Sequence, residues 1–205
     1  VIAKTCARLY SEHFPDRPSL GASKGWLTGT WCIGAAYKNP NQLYGAYPRG
    51  YLERVHCMFP EATSVLHLFS GGLDIATATS EAARFCKRLA RVELVDAKGP
   101  EAGRFPTTQC EADALPASWV EAFDLILADP PYSVEDAARY DHPMPNCAAV
   151  LRGLWRAARP GATLVWLDTR WPMHEKRDWE TWGHIGLVRS TNHRVRLVSF
   201  FRRSP

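Results

Sequence analysis

Asp129-Pro130-Pro131-Tyr132 directly follows an apolar run, Phe123–Ala128, that reads as a strand. The strand end carries a carboxylate. Two prolines stiffen the backbone behind it and remove two N–H donors, leaving nearby carbonyls without local partners. An aromatic ring follows. This set of groups suits a planar amine. The carboxylate would accept one of its hydrogens and a carbonyl the other, while the ring would stack on a flat base.

Three more polar groups follow strand-like runs. Ser70-Gly71-Gly72 comes after residues 64–69, Asp96 after residues 91–95, and Asp113 after a short run at 107–111. Ligands of open α/β sheets bind beyond the carboxyl ends of strands, so these positions fall on one rim. Glycines let backbone approach a ligand closely. Asp96 has the two oxygens needed to accept both hydroxyls of a ribose, and Asp113 could accept from an exocyclic amine. Phe69 and Leu115 could supply apolar contact beside that ring. Each position also has a plain structural reading: a tight turn at Gly71-Gly72, or a helix cap or loop acid at Asp113. No G-x-G-x-x-G or G-x-x-x-x-G-K-[ST] occurs, which removes support for dinucleotide and nucleotide-triphosphate binding.

The elements that must hold these groups alternate. Strands are predicted at 64–69, 91–95, 107–111, 123–128 and 162–167, with helices at 77–89 (starting at Thr77 or Thr79) and 147–158. Pro160-Gly161 is expected to turn the chain. Residues 181–189 and 194–201 flank Ser190-Thr191-Asn192 as a terminal hairpin. The alternation predicts an α/β fold: a mostly parallel sheet with helices on both faces and a C-terminal antiparallel hairpin. Residues 47–59 pattern as a helix. Residues 3–13 read as a short helix stopped by Pro15 and Pro18, and 21–46 as irregular structure. The chain therefore divides into an extension, 1–46, that wraps an α/β domain, 47–205.

The 205 residues carry a formal charge of +4, too mild to name a partner alone. The distribution says more. Arg189, Arg194, Arg196, Arg202 and Arg203 crowd the last seventeen residues with no acid among them. They would face phosphate or simply cover a solvent-facing hairpin. Six cysteines lack C-x-x-C spacing and read as reduced thiols of a cytoplasmic protein, with no metal site. No apolar run is long enough to span a membrane. His142, in the loop after Tyr132, reads as a loop histidine or a phosphate contact. Trp171 and Trp179 read as core, lid or nucleic-acid wedges.

The order of glycine loop, acid after the second strand, Asp113-Ala114 and D-P-P-Y resembles the S-adenosylmethionine-dependent amino-methyltransferases. The match runs over about residues 47–170, with 171–205 as the closing hairpin. Tyr44-Gly-Ala-Tyr-Pro48 and Leu66-His-Leu-Phe-Ser-Gly-Gly72 look like small phage-type DNA adenine N6-methyltransferases. The resemblance implies a Rossmann-like methyltransferase fold with S-adenosylmethionine as cofactor. It implies Phe69, Ser70 and Gly71 at the methionine part, Asp96 on ribose and Asp113 beside adenine. His67, Gly72, Ala97, Ala114 and Leu115 would lie around them. It also implies Asp129, Pro130, Pro131 and Tyr132 at the acceptor nitrogen. DNA is the expected partner, with adenine N6 as the target. Cytosine N4 in DNA, guanine N2 in RNA and a catalytically silent binding subunit are the alternatives. The chain departs from the family in two ways. It has no room for a large recognition domain, so specificity would come from 1–46, 132–146, 171–182, a partner subunit or a second copy. The family's lysine-bearing glycine motif has only Lys24-Gly25 and Lys38-Asn39 as candidates.

Overall fold

The computed structural model describes residues 1–34, 47–189 and 195–205. Its centre is two strands buried on both faces. β3 (Ser64–Leu68) and β6 (Phe123–Ala128) are near-continuous apolar runs, the pattern of parallel strands covered on both sides. They pair with each other, and β4 (Arg91–Asp96) lies on the far side of β3. Leu68 is opposite both Val95 and Ala128, so Phe69, Asp96 and Asp129 leave the sheet at one level. Asp124 ties the other end together. Its carboxylate accepts from the Thr63 and Ser64 amides and the Thr63 hydroxyl, and it pairs with Arg159.

Among the described residues nine strands form one sheet, in the order β1-β2-β8-β9-β7-β6-β3-β4-β5. β5 is only Thr108–Gln109, shorter than the predicted 107–111. β7 (Ala158–Asp168) begins earlier than expected, because Pro160-Gly161 forms an irregularity within the strand rather than a turn before it. The register jumps there from Phe123 opposite Ala158 to Leu125 opposite Thr163, and Gly161 takes φ +77°. β8 (Trp179–Arg189) and β9 (Val195–Arg203) pair antiparallel as predicted. The expected turn at 190–192 lies outside the described residues. β9 also pairs antiparallel with β7, which places it between β7 and β8.

Helices cover both faces. α1 (Ile2–His13), α2 (Tyr51–His56) and α3 (Ile75–Ala83) lie on one side, and α5 (Cys147–Ala157) on the other. α4 (Val134–Arg139) stands at the rim. α3 starts before Thr77, because the Asp74 side chain caps it by accepting from the Thr77 amide at 2.8 Å, and it ends well before residue 89. α2 is shorter than the predicted 47–59. Gly50, at φ +74°, holds the chain out of helix until Tyr51.

The largest departure is in the N-terminal segment. Residues 20–33 are not irregular but form a hairpin of β1 (Leu20–Ser23) and β2 (Trp26–Ile33), and β2 joins the main sheet parallel to β8. Lys24-Gly25 is its two-residue turn, with φ +49° and +83°, the conformation that favours tight hairpins. That place excludes the pair from the cofactor site; Lys38-Asn39 lies outside the described residues.

Gly183 is the joint that admits this hairpin. A Cβ there would stand 2.8 Å from the Leu27 carbonyl oxygen and 2.7 Å from the Leu27 Cβ. Gly183→Ala is therefore expected to destabilise the protein by about 1–3 kcal/mol, read as a lowered denaturant midpoint. An unchanged midpoint would mean that β2 does not pack as described.

Candidate active site

The strand ends open into a cavity of about 730 Å³. Phe69, Asp96, Ala97, Asp113, Asp129, Pro130, Pro131 and Tyr132 line it, so the structure brings together most of the residues singled out from sequence. Others stand apart. His67 is fully buried on β3, beside His56 and Tyr47, and does not reach the cavity. Leu115 is packed in the core with Trp119 and Phe123, because the chain turns inward after Asp113. Ala114 is exposed outside the cavity, and Gly72 lines a separate depression beside α2 and α3. Ser70 and Gly71 form the turn beneath the site and are buried.

That turn is strained. Phe69 takes φ +59° and Gly71 +57°, the left-handed region, which costs a residue with a Cβ about 1 kcal/mol or more. Hydrogen bonds hold it there: the Ser70 amide donates to the Val95 carbonyl at 3.0 Å, and the Gly71 amide to Asp96 Oδ2 at 3.0 Å. Asp96 is thus partly a structural acceptor. Its Oδ2 also receives Arg104 at 2.8 Å, and its Oδ1 the Lys98 amide at 3.0 Å. Each carboxylate oxygen accepts about two bonds. Oδ1 has room for one hydroxyl, and a second would require Arg104 to leave. Arg104 lies over the Tyr140 ring, 4.8 Å from its centre.

The acids and bases lining this end of the cavity, Asp96, Lys98, Arg104, Glu111 and Asp113, fit a bulky polar cofactor. The loop after Tyr132 roofs it. Lys98 Nζ meets Asp141 at 3.1 Å, and His142 Nε2 meets Glu111 at 2.9 Å, which raises the His142 pKa against the effect of its burial.

At the other end stands Asp129. Burial pushes its carboxyl up to about 6. The Tyr132 hydroxyl, which donates to Asp129 Oδ1, and the charges of Arg196 and Arg189 oppose the rise, while Asp168 adds to it. The Arg196 guanidinium covers one face of the Tyr132 ring, 4.6 Å from its centre. Base stacking on that face therefore needs Arg196 to move. Tyr47 and Tyr51 complete the wall behind Asp129, and their hydroxyls have no partner among the described residues. Of the two tryptophans, Trp179 is core, donating to the Leu151 carbonyl, and Trp171 is half exposed against His184.

Sequence reasoning missed Arg104 at Asp96 and did not place Arg189 and Arg196 in the site. A register argument could have found the latter pair, since the hairpin returns β9 beside β7.

No protein-family model matches the sequence, and no curated protein matches it either. Solved structures do match the fold. TrmN from Thermus thermophilus aligns with a TM-score of 0.52 at 18% identity, over 74% of this chain and 48% of that one. The N-methyltransferase NodS from Bradyrhizobium japonicum WM9 aligns with a TM-score of 0.51 at 17% identity, over 75% of this chain and 93% of that one. This chain's match thus spans less than half of TrmN's length. The fold is the α/β Rossmann-like fold of S-adenosylmethionine-dependent methyltransferases, with a mixed, mostly parallel sheet flanked by helices.

The raised Asp129 pKa has a consequence for stability. A carboxyl whose folded pKa lies above its unfolded value favours folding fully at low pH, and that contribution is lost as pH rises through about 6. Asp129→Asn keeps the shape and an acceptor for Tyr132 without the charge. It should raise stability at pH 8 by on the order of 2 kcal/mol and leave it unchanged near pH 4. Chemical denaturation at the two pH values checks this, and equal effects at both would contradict it.

Proposed function

We propose that this protein transfers a methyl group from S-adenosylmethionine to an exocyclic amine of a nucleic-acid base, adenine N6 in DNA. The reading rests on one observation above the others. A carboxylate at the end of β6 is held in a desolvated pocket, backed by two prolines and a tyrosine, on the same level as the strand ends that suit a cofactor.

Asp96, Phe69, Ala97 and Asp113 would hold the cofactor, which supplies an electrophilic methyl when bound. The residues around Asp129 deal with the other reactant. An aromatic amine is a poor nucleophile because its lone pair is delocalised into the ring. Ionised Asp129 accepts one N–H, and the Pro130 carbonyl accepts the second. Together they favour a more tetrahedral nitrogen whose lone pair faces the methyl. Positive charge develops on the nitrogen during transfer, and the carboxylate stabilises it in a low-dielectric setting. The alkylated nitrogen is strongly acidic, and its proton passes to Asp129 before leaving to water. A pKa near 6 suits a group that must accept at neutral pH and then release. Tyr132 keeps Asp129 aimed and ionised.

The base would reach this pocket by leaving its helix, as enzymes acting on base atoms require. Cytosine N4 and guanine N2 offer the same N–H pair to Asp129. The D-P-P-Y resemblance favours adenine, and a nucleoside digest separates the three.

DNA from cells expressing the chain, digested to nucleosides and read by mass spectrometry, should contain N6-methyladenine. Cells expressing Asp129→Ala should yield at least 100-fold less, on the order expected when charge stabilisation in the transition state is removed. Near-normal methylation by folded Asp129→Ala would refute the amine grip. The pH profile of kcat/KM should fall on the acid side with a midpoint near pH 6, as Asp129 takes up a proton. Tyr132→Phe removes a hydrogen bond to the ionised form, so it should move that midpoint upward while keeping measurable turnover. A midpoint unmoved by Tyr132→Phe would detach the limb from Asp129.

A further inference from the structure

Arginines withdrawn from solvent elsewhere in this protein have partners. Arg104 pairs with Asp96, Arg203 with Glu121 and the Ala158 carbonyl, and Arg54 donates to the Gly50 carbonyl. Arg189 and Arg196 differ. Both are partly buried and line the cavity, yet neither forms an ion pair within 4.0 Å among the described residues. Arg189 Nε is shut off from solvent with no hydrogen-bond partner there. Arg49, exposed, lines the same cavity, with no ion pair among the described residues.

The sheet explains why they converge. β9 lies between β7 and β8 with Leu187 opposite Arg196, so Arg189 at the end of β8 and Arg196 at the start of β9 stand at the same edge of the sheet as Asp129. There, Arg189 and Arg196 act on Asp129 together with a second carboxylate, Asp168, and Arg49 lines the rim, so guanidiniums outnumber carboxylates. At the Asp96 end the balance is reversed. Asp96 pairs with Arg104, Glu111 with His142 and Lys98 with Asp141, and Asp113 has no ion pair among the described residues. The cavity is polarised along its length. A cationic ligand suits the Asp96 end, and an anionic group suits the Asp129 end. A free nucleobase or a simple amine brings no such anion. A nucleotide does, because its phosphate is attached to the same sugar as the base.

We propose that Arg189 and Arg196, with Arg49 at the rim, form a seat for the phosphate flanking the target base, so that the acceptor is a nucleotide within a phosphodiester chain and not a free base or small-molecule amine. This rests on the proposed methylation of a nucleobase amine and names the substrate class for that site. Arg196 reaches the phosphate by lifting from the Tyr132 ring, which frees that face for the base. One event then seats the phosphate and opens the stacking surface. Guanidinium is the group suited to this, since its planar fork matches phosphate oxygens and also stacks on aromatic faces.

Arg196 and Arg189 also favour the ionised form of Asp129, so their loss would slow the reaction even without a phosphate seat. The test separates the two roles. An oligodeoxynucleotide carrying the unmethylated target is compared with one whose linkages flanking the target are neutral methylphosphonates. Wild-type protein, Arg189→Gln and Arg196→Gln are each assayed for kcat and KM, with thermal melting to confirm folding. The seat predicts that methylphosphonate lowers wild-type kcat/KM about tenfold, mainly through KM. Arg189→Gln should lower it similarly on the natural strand and respond little to methylphosphonate. Its salt dependence should be shallower by about one unit of slope. An Arg189→Gln protein with lowered kcat, unchanged KM and the full methylphosphonate penalty would overturn the seat and leave the methylation reading standing. Wild-type protein that methylates no nucleic acid would overturn both.

Discussion

The alignment of strand ends is the constraint on which the rest depends. Leu68 faces Val95 on one side and Ala128 on the other, so a strained turn, Asp96 and Asp129 emerge at the same height. Burial on both faces pins that register. Every residue of β3 is buried, and in β6 only Asp124 is partly exposed. A slip of β6 by one residue would move Asp129 by about 3.3 Å, enough to draw the carboxylate into the apolar layer or lift it out of the pocket. Asp124 guards against such a slip from the far end, holding two amides of the adjoining strand and Arg159. A group with no part in the chemistry thus fixes the height of the group that has one.

Asp129 is a compromise between opposing terms. Burial alone would leave it protonated and useless as an acceptor. The Tyr132 hydroxyl and two nearby guanidiniums pull it back, and the balance falls near 6. The same desolvation that makes the charge costly strengthens its hold on a donor. At the cavity's other end, Asp96 shows the opposite economy. It is saturated with donors that maintain the turn at Phe69 and Gly71, with acceptor capacity for little more than one hydroxyl while Arg104 remains. One carboxylate is kept open and the other is kept occupied, and their different roles follow from that difference.

Much of this was readable from the sequence. The buried runs of β3 and β6 are unmistakable patterns, and the acids that follow them fall where parallel strands must end. The terminal antiparallel pair was also legible from its polar break. What escaped had physical reasons. The β1–β2 hairpin interrupts its own alternation with Gly29, which admits the Ser19 carbonyl where a side chain would stand, so the apolar face is not continuous in the text. Lys24-Gly25 resembled a ligand motif because a two-residue hairpin turn and a glycine loop use the same residue for the same backbone freedom. His67 and Leu115 sit next to site residues in sequence but face the interior. A strand reverses face at every residue, and the chain dives after Asp113. Arg104 was invisible because its partner Asp96 is reached only once the chain has looped back past Pro100–Ala102.

The most direct measurement is a crystal structure of the protein with S-adenosylhomocysteine and an oligonucleotide carrying the target base. The account predicts the product cofactor along Asp96 and Asp113, and the exocyclic nitrogen within about 3 Å of an Asp129 oxygen. A cofactor lodged instead in the depression beside Gly72, or a base whose amine is turned away from the end of β6, would contradict it.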